Sequence, residues 1–210
     1  MRIRTIALAA VFVLATPAIA YQASQVPGAK DPGRVAAGTY AVDPSHTLVG
    51  WRVSHFGFND YFGIFGDATG TLTLDPRNPA ASKVDITLPV SKVTTVNPDL
   101  TKHLLKPAEA GKKADFFGAS PADARFVSKR VTVNGQEAKI LGDLTLNGVT
   151  REVTLDAEFS GAGTNPYNKK ETVGFEAETT IKRSDFGIVF GIPAVSDEVE
   201  LDISVAFEKQ

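Results

Sequence analysis

The chain has 210 residues, of which 43% are hydrophobic and 22% charged, with 18 Gly, 12 Pro and no Cys. That balance belongs to a folded domain and excludes collagen-like, low-complexity or largely disordered chains. With 22 Lys+Arg against 24 Asp+Glu the net charge is -2, which gives no basic field for holding a polyanion and excludes nucleic acid as a partner class. Without Cys there is no disulfide framework, so the fold rests on its core.

Residues 1–20 read as a cleavable signal peptide. Arg2 and Arg4 form a charged start, Ile6 to Leu14 an apolar run, and Ala18-Ile19-Ala20 a small-x-small site that predicts cleavage before Tyr21. The apolar run is far shorter than the roughly 20 residues a membrane span needs, so the expectation is an exported protein with no stable membrane insertion. Residues 21–37, with Pro27, Gly28, Pro32 and Gly33 and no apolar period, read as a flexible leader. The rest, 38–210, is large enough for one self-supporting domain.

From Gly38 onward the apolar residues alternate. Val49-Trp51-Val53, Val84-Ile86-Leu88-Val90, Ile140 to Leu146, Val153-Leu155-Ala157-Phe159, Val173-Phe175-Ala177 and Val199 to Phe207 each follow period two, the pattern of strands with one dry face. Asn134-Gly135 and Asn147-Gly148 sit between such runs and suit tight hairpin turns, which makes consecutive strands antiparallel neighbours. Eight or nine strands with one apolar face must close into a barrel or pair as a sandwich. One helix is expected from Asn97 to about Leu105. Asn97 caps it, Pro98 takes the first position, Leu100 and Leu104 share a face, and Pro107 ends it.

Little in the sequence points to catalysis. His46 and His55 are nine residues apart and would face opposite sides of a regular strand, and His103 lies on the helix, so the three histidines do not form a metal set. No G-x-S-x-G elbow or phosphate loop occurs; Asp43 and His46 are expected to brace a strand entrance. The acidic residues Glu198, Glu200 and Asp202 fall on the wet phase and read as a solvated face. Binding fits better. The phase Phe62, Ile64, Gly66, Ala68, Gly70, Leu72, Leu74 runs large, small, large along one expected strand and leaves room inside an eight-stranded barrel, whose lumen is on the order of 25 Å long. Lys92, Lys102, Lys106, Lys112 and Lys113 make the helix-bearing connection basic. At a barrel mouth, Lys102 and Lys106 would neutralise an anionic head group.

Several segments together resemble the YceI-like periplasmic proteins, also called polyisoprenoid-binding proteins. They are Tyr40 to Thr47 (YAVDPSHT), Val53 to Gly57 (VSHFG), Gly63 to Phe65, Ala114 to Phe117 (ADFF), Ala124 to Ser128 (ARFVS), Gly142 to Thr150 (GDLTLNGVT) and Arg183 to Gly187 (RSDFG). Gly118 stands where an acidic residue commonly follows the paired Phe. The resemblance implies an all-β, extended antiparallel lipocalin-like barrel with one short helix in a long connection. It also implies an elongated pocket for a long-chain isoprenoid, quinone-like lipid or other amphiphile, in a periplasmic protein without catalytic residues, cofactor or metal. Phase alone nominates Trp51, Val53, His55, Phe62, Ile64, Leu88, Phe126, Leu144, Leu155, Phe175 and Ile203 as ligand-binding residues, with Phe116 and Phe117 closing one end. An enzyme using His55 on a hydrophobic substrate, or a filled β-sandwich interaction module, are the alternatives. Self-association into a homodimer is left open.

Overall fold

The structure is a computed structural model that describes residues 26–210; the expected signal peptide lies outside the described residues. Ten strand segments follow in order: β1 (Gly38–Val42), β2 (Leu48–His55), β3 (Asn59–Phe65), β4 (Thr69–Leu74), β5 (Lys83–Leu88), β6 (Ala124–Asn134), β7 (Glu137–Leu146), β8 (Val149–Thr164), β9 (Glu171–Lys182) and β10 (Glu198–Lys209), with α1 (Pro98–Leu104) between β5 and β6. Every pairing is antiparallel. Neighbours run β1-β4-β5-β6-β7-β8-β9-β10-β2-β3, and an additional β1–β10 pairing closes the wall.

Ten segments make eight staves because two staves are broken. Both β1 and β2 pair with β10, Tyr40 opposite Lys209 and Leu48 opposite Ser204, so they are two halves of one line joined by the crook Asp43 to Thr47. The crook is braced as expected: the Asp43 carboxylate accepts from the Ser45 N–H at 3.0 Å and pairs with His46 Nδ1 at 2.6 Å. In the same way β3 lies along β2 and β4 along β1, with a break at Gly66 to Ala68 where Asp67 has φ 57°. The result is the closed eight-stranded antiparallel barrel anticipated from the sequence, and the sandwich alternative falls.

Local chemistry sets the turns. Asn147 and Gly148 both take positive φ between Leu146 and Val149, the two-residue turn whose twist suits a hairpin. At the other Asn-Gly pair the register is one residue later than expected. Asn134 still pairs with Glu137, and Gly135, at φ 63°, opens the turn. The helix is capped as expected, the Asn97 side chain accepting from the Asp99 and Leu100 N–H groups. Among the described residues no helix is long and apolar enough to cross a membrane.

Strand β5 pairs with β4 but not with β3, where only Ile64 and Thr94 exchange backbone hydrogen bonds. The wall therefore parts at that end, and the connection from Pro89 to Asp123 fills the gap. Two cores follow. One, around Tyr40, Leu72, Phe159, Val173 and Phe207, lies at the β1 end. The other, around Phe65, Val90, Val93, Leu104 and Ala124, lies under α1.

Candidate functional site

Inside the barrel lies a cavity of about 360 Å³. Nearly every strand contributes apolar side chains: Leu72 and Leu74 from β4, Val84, Ile86 and Leu88 from β5, Phe126, Val131 and Val133 from β6, Ile140 and Leu144 from β7. Val153, Leu155 and Phe159 of β8, Phe175 and Ala177 of β9, and Leu201, Ile203, Val205 and Phe207 of β10 complete the wall. Thr47, Ser82 and Thr179 supply its few hydroxyls.

The cavity is open at one end. Of its six exposed lining residues, Pro32, Pro76, Gly135, Gln136 and Glu137 belong to the segment before β1, the β4–β5 connection and the β6–β7 hairpin, and the sixth, Arg125, lies on β6. The segment before β1, expected as leader, lies against the barrel over residues 29–35. Ala29 and Ala162 exchange backbone hydrogen bonds of 3.0 and 2.9 Å, and Lys30 pairs with Glu158. A short 3-10 turn, Pro32–Arg34, capped by Asp31, brings Pro32 and Val35 over the cavity. Gly163 makes this approach feasible, since a Cβ there would stand 2.3 Å from the Pro27 carbonyl oxygen.

The opposite end is sealed. Leu104 of α1 is buried, and the Phe117 N–H donates to its carbonyl. Phe117 meets Phe65 edge-on at 6.0 Å between centroids, while Phe116 meets His103 at 5.3 Å and Phe190 at 5.5 Å, geometries that aromatic pairs favour. His103 Nε2 lies 2.9 Å from the Asp115 carboxylate. Beneath this, the Arg183 side chain is buried and donates to the carbonyls of Ser196, Ile188, Phe190 and Val195 at 2.8–3.2 Å. Burial pulls the guanidinium pKa down, and the nearby Asp197 charge opposes that shift. Asp197 in turn accepts from the Ser184 N–H and hydroxyl, the first cause of its lowered pKa. This knot fixes the loop that carries Phe190.

The nominated residues divide between these regions. Leu88, Phe126, Leu144, Leu155, Phe175 and Ile203 line the cavity. Trp51 keeps the inward phase of Val49 but lies beyond the cavity, packed into the core under α1. Val53 and His55 lie farther along the same strand, opposite Tyr61 and Asn59, and His55 packs edge-on against Phe56. Phe116 and Phe117 close the sealed end without lining the cavity.

Phe62 and Ile64 are corrections. They are 59% and 43% exposed on the outer face of β3. The expected continuous strand from Phe62 to Leu74 is broken at Asp67, which reverses the inward phase from Gly63 and Phe65 to Ala68, Leu72 and Leu74. Lys102 and Lys106 are also displaced from their expected place. They sit outside the sealed end, paired with Asp99 and Glu109, and do not reach the cavity. Among the described residues no three His, Asp or Glu side chains gather as a metal set.

The site therefore defines a class: lipocalin-like antiparallel barrels with a deep apolar interior open at one end. Within it, the chain belongs to the YceI-like domain family, whose model matches residues 40–207. Protein YceI of Escherichia coli O157:H7 is 42% identical over 176 residues, covering 82% of this chain and 88% of that protein. The Salmonella arizonae protein of the same name is 40% identical with the same coverage. Among solved structures, the YCEI protein of Campylobacter jejuni superposes with TM-score 0.60 at 29% identity, covering 75% of this chain and 90% of its own. Burkholderia cenocepacia BcnA gives 0.65 at 24%, covering 79% and 98%. A polyisoprenoid binding domain from Saccharophagus degradans gives 0.55 at 14%, covering 83% and 100%. The last two speak to the fold alone.

Proposed function

We propose that this protein carries or stores a long-chain isoprenoid, quinone-like lipid or similar amphiphile inside its barrel, as an exported, periplasmic binding protein and not as a catalyst. The observation that carries the reading is the cavity: about 360 Å³, lined by aliphatic and aromatic side chains from eight strands, and open at one end. Apolar lining without directional groups suits a long hydrocarbon chain. Each buried methylene contributes about 0.8 kcal/mol. Association itself costs roughly 4 kcal/mol or more, so micromolar binding needs on the order of fifteen buried carbons. The family resemblance carried by segments such as YAVDPSHT and GDLTLNGVT, to proteins also called polyisoprenoid-binding, supports the ligand class. Against the enzyme alternative, His55 does not face the cavity.

Native mass spectrometry of the protein from its exported fraction, with organic extraction, tests the reading directly. A stoichiometric long-chain molecule is expected, and Ala177→Trp, which fills the lumen, should empty the protein while leaving it folded. A protein that is empty and takes up neither isoprenoids nor fatty amphiphiles overturns the proposal.

A further inference from the structure

The segment before β1 is a chord across the cavity's opening and does not continue the wall. It leaves β1 at Gly38 and lands on β8, three staves away around the barrel, on the edge that β7 no longer covers beyond Glu158. Its underside is apolar, with Pro32 and Val35 over the cavity, while Lys30, Asp31 and Arg34 are exposed. The landing place, Gly161-Ala162-Gly163, is shaped for a second backbone. A Cβ at Gly161 would stand 3.3 Å from the Ala29 carbonyl oxygen, and one at Gly163 2.3 Å from that of Pro27. Glycine inside a strand marks this kind of close approach.

The two ends of the chord are held differently. At one end the Tyr40 hydroxyl, on a fully buried ring, donates to the Ala36 carbonyl at 2.6 Å. At the other, the reciprocal Ala29–Ala162 bonds and the half-exposed Lys30–Glu158 pair form the latch. A few weak interactions of this kind leave an open state populated at about 0.1–10%. Between its ends the segment holds its own shape. Arg34 donates to the Pro27 carbonyl at 3.2 Å, and Asp31 caps the turn Pro32–Arg34. Released at the latch, it moves as one piece about Ala36.

We propose that residues 27–35 are a lid on the cavity, and that cargo enters and leaves when the latch at Ala29 and Lys30 lets go. The proposal rests on the carrier reading. A lid of this kind sets the rates of entry and exit together and leaves the affinity nearly unchanged.

The chain has no Cys, so a pair placed at the latch is the one thiol pair in the protein. Residues that exchange both backbone bonds have Cα atoms about 5.5 Å apart, within the span of a disulfide. The double variant Ala29→Cys, Ala162→Cys therefore locks the lid on oxidation and frees it on reduction. Stopped-flow uptake and release of diphenylhexatriene, an uncharged apolar rod that fluoresces when buried, is measured on the delipidated variant in both states, with the disulfide verified by mass. Oxidation is expected to slow both rates at least about tenfold while Kd changes less than about threefold, and dithiothreitol to restore them. Lys30→Glu, which sets two carboxylates at the latch, should speed both rates about threefold at low salt.

Equal rates in the oxidised and reduced protein overturn the lid. If the two thiols do not pair, unaltered rates in Lys30→Glu overturn it instead. Binding of diphenylhexatriene in either case keeps the carrier reading standing. Failure of the delipidated wild type to take up the probe at all removes both.

Discussion

The two ends of the barrel solve the problem of a barrel's open rim in opposite ways. At the sealed end a polar knot is drawn inside and paired: one buried guanidinium serves four carbonyls, and Asp197 serves Ser184 twice. At the mouth the cover is a short strap held by one reciprocal pair of backbone bonds and an ion pair whose side chains are about half exposed, a kind worth at most about 1 kcal/mol. The difference teaches that stability and access are assigned to separate regions. The sealed end makes the fold single-valued, and the mouth is left cheap to open.

Changes at the sealed end should therefore cost most. Arg183→Met leaves four buried carbonyls without their donor and is expected to lose about 3–5 kcal/mol in urea unfolding. A loss under about 1 kcal/mol would mean that the loop carrying Phe190 is not needed to seal the barrel. Leu104→Ala removes the buried anchor of α1 and should cost about 2–5 kcal/mol, the spread depending on how far the core collapses. Near-neutrality there would separate the helix from the fold's stability.

The pH response should be smaller and confined to the same end. The Asp197 pKa is lowered in the folded state, first by the Ser184 hydroxyl. Its contribution is therefore complete above the unfolded carboxylate value of about 3.9 and is lost as pH falls through the lower folded value. Acid titration followed by hydrogen exchange should loosen the Arg183–Asp197 loop below about pH 4, and Asp197→Asn should flatten that response. The smallest stability effect belongs to the mouth. Gly163→Val should displace residues 27–30 and change global stability by no more than about 1 kcal/mol, while limited proteolysis before Gly38 accelerates. A large global loss would make the strap part of the core and erase the contrast between the ends.

Much of this was legible in the sequence, because alternation reports a dry face whether or not anything occupies the interior. Leu144, Leu155, Phe175 and Ile203 were placed by phase, and the helix by Asn97, Pro98 and Pro107. Phase fails where a strand breaks. Phe65 to Ala68 and Phe159 to Ala162 are odd apolar spacings, and so is Phe126 to Val131; each marks a break or bulge in the structure. Reading those spacings would have turned Phe62 and Ile64 outward and added Val131 and Val133 to the lining. The strap was missed for a different reason: its contacts are to strands more than 100 residues away, and its own composition speaks only of turns.

The pairing of β1 with β10 carries a consequence in time. The seam joins Tyr40 to Lys209, nearly the full length of the described chain, so the barrel cannot close until its last dozen residues are available. Contacts of such long range make folding slow, in the millisecond-to-second regime typical of β-barrels. During that interval the apolar faces that will line the lumen are open to solvent. A hydrocarbon chain captured before the seam forms would be enclosed by folding itself, without passing the mouth, so the order of synthesis and loading determines which route the cargo takes.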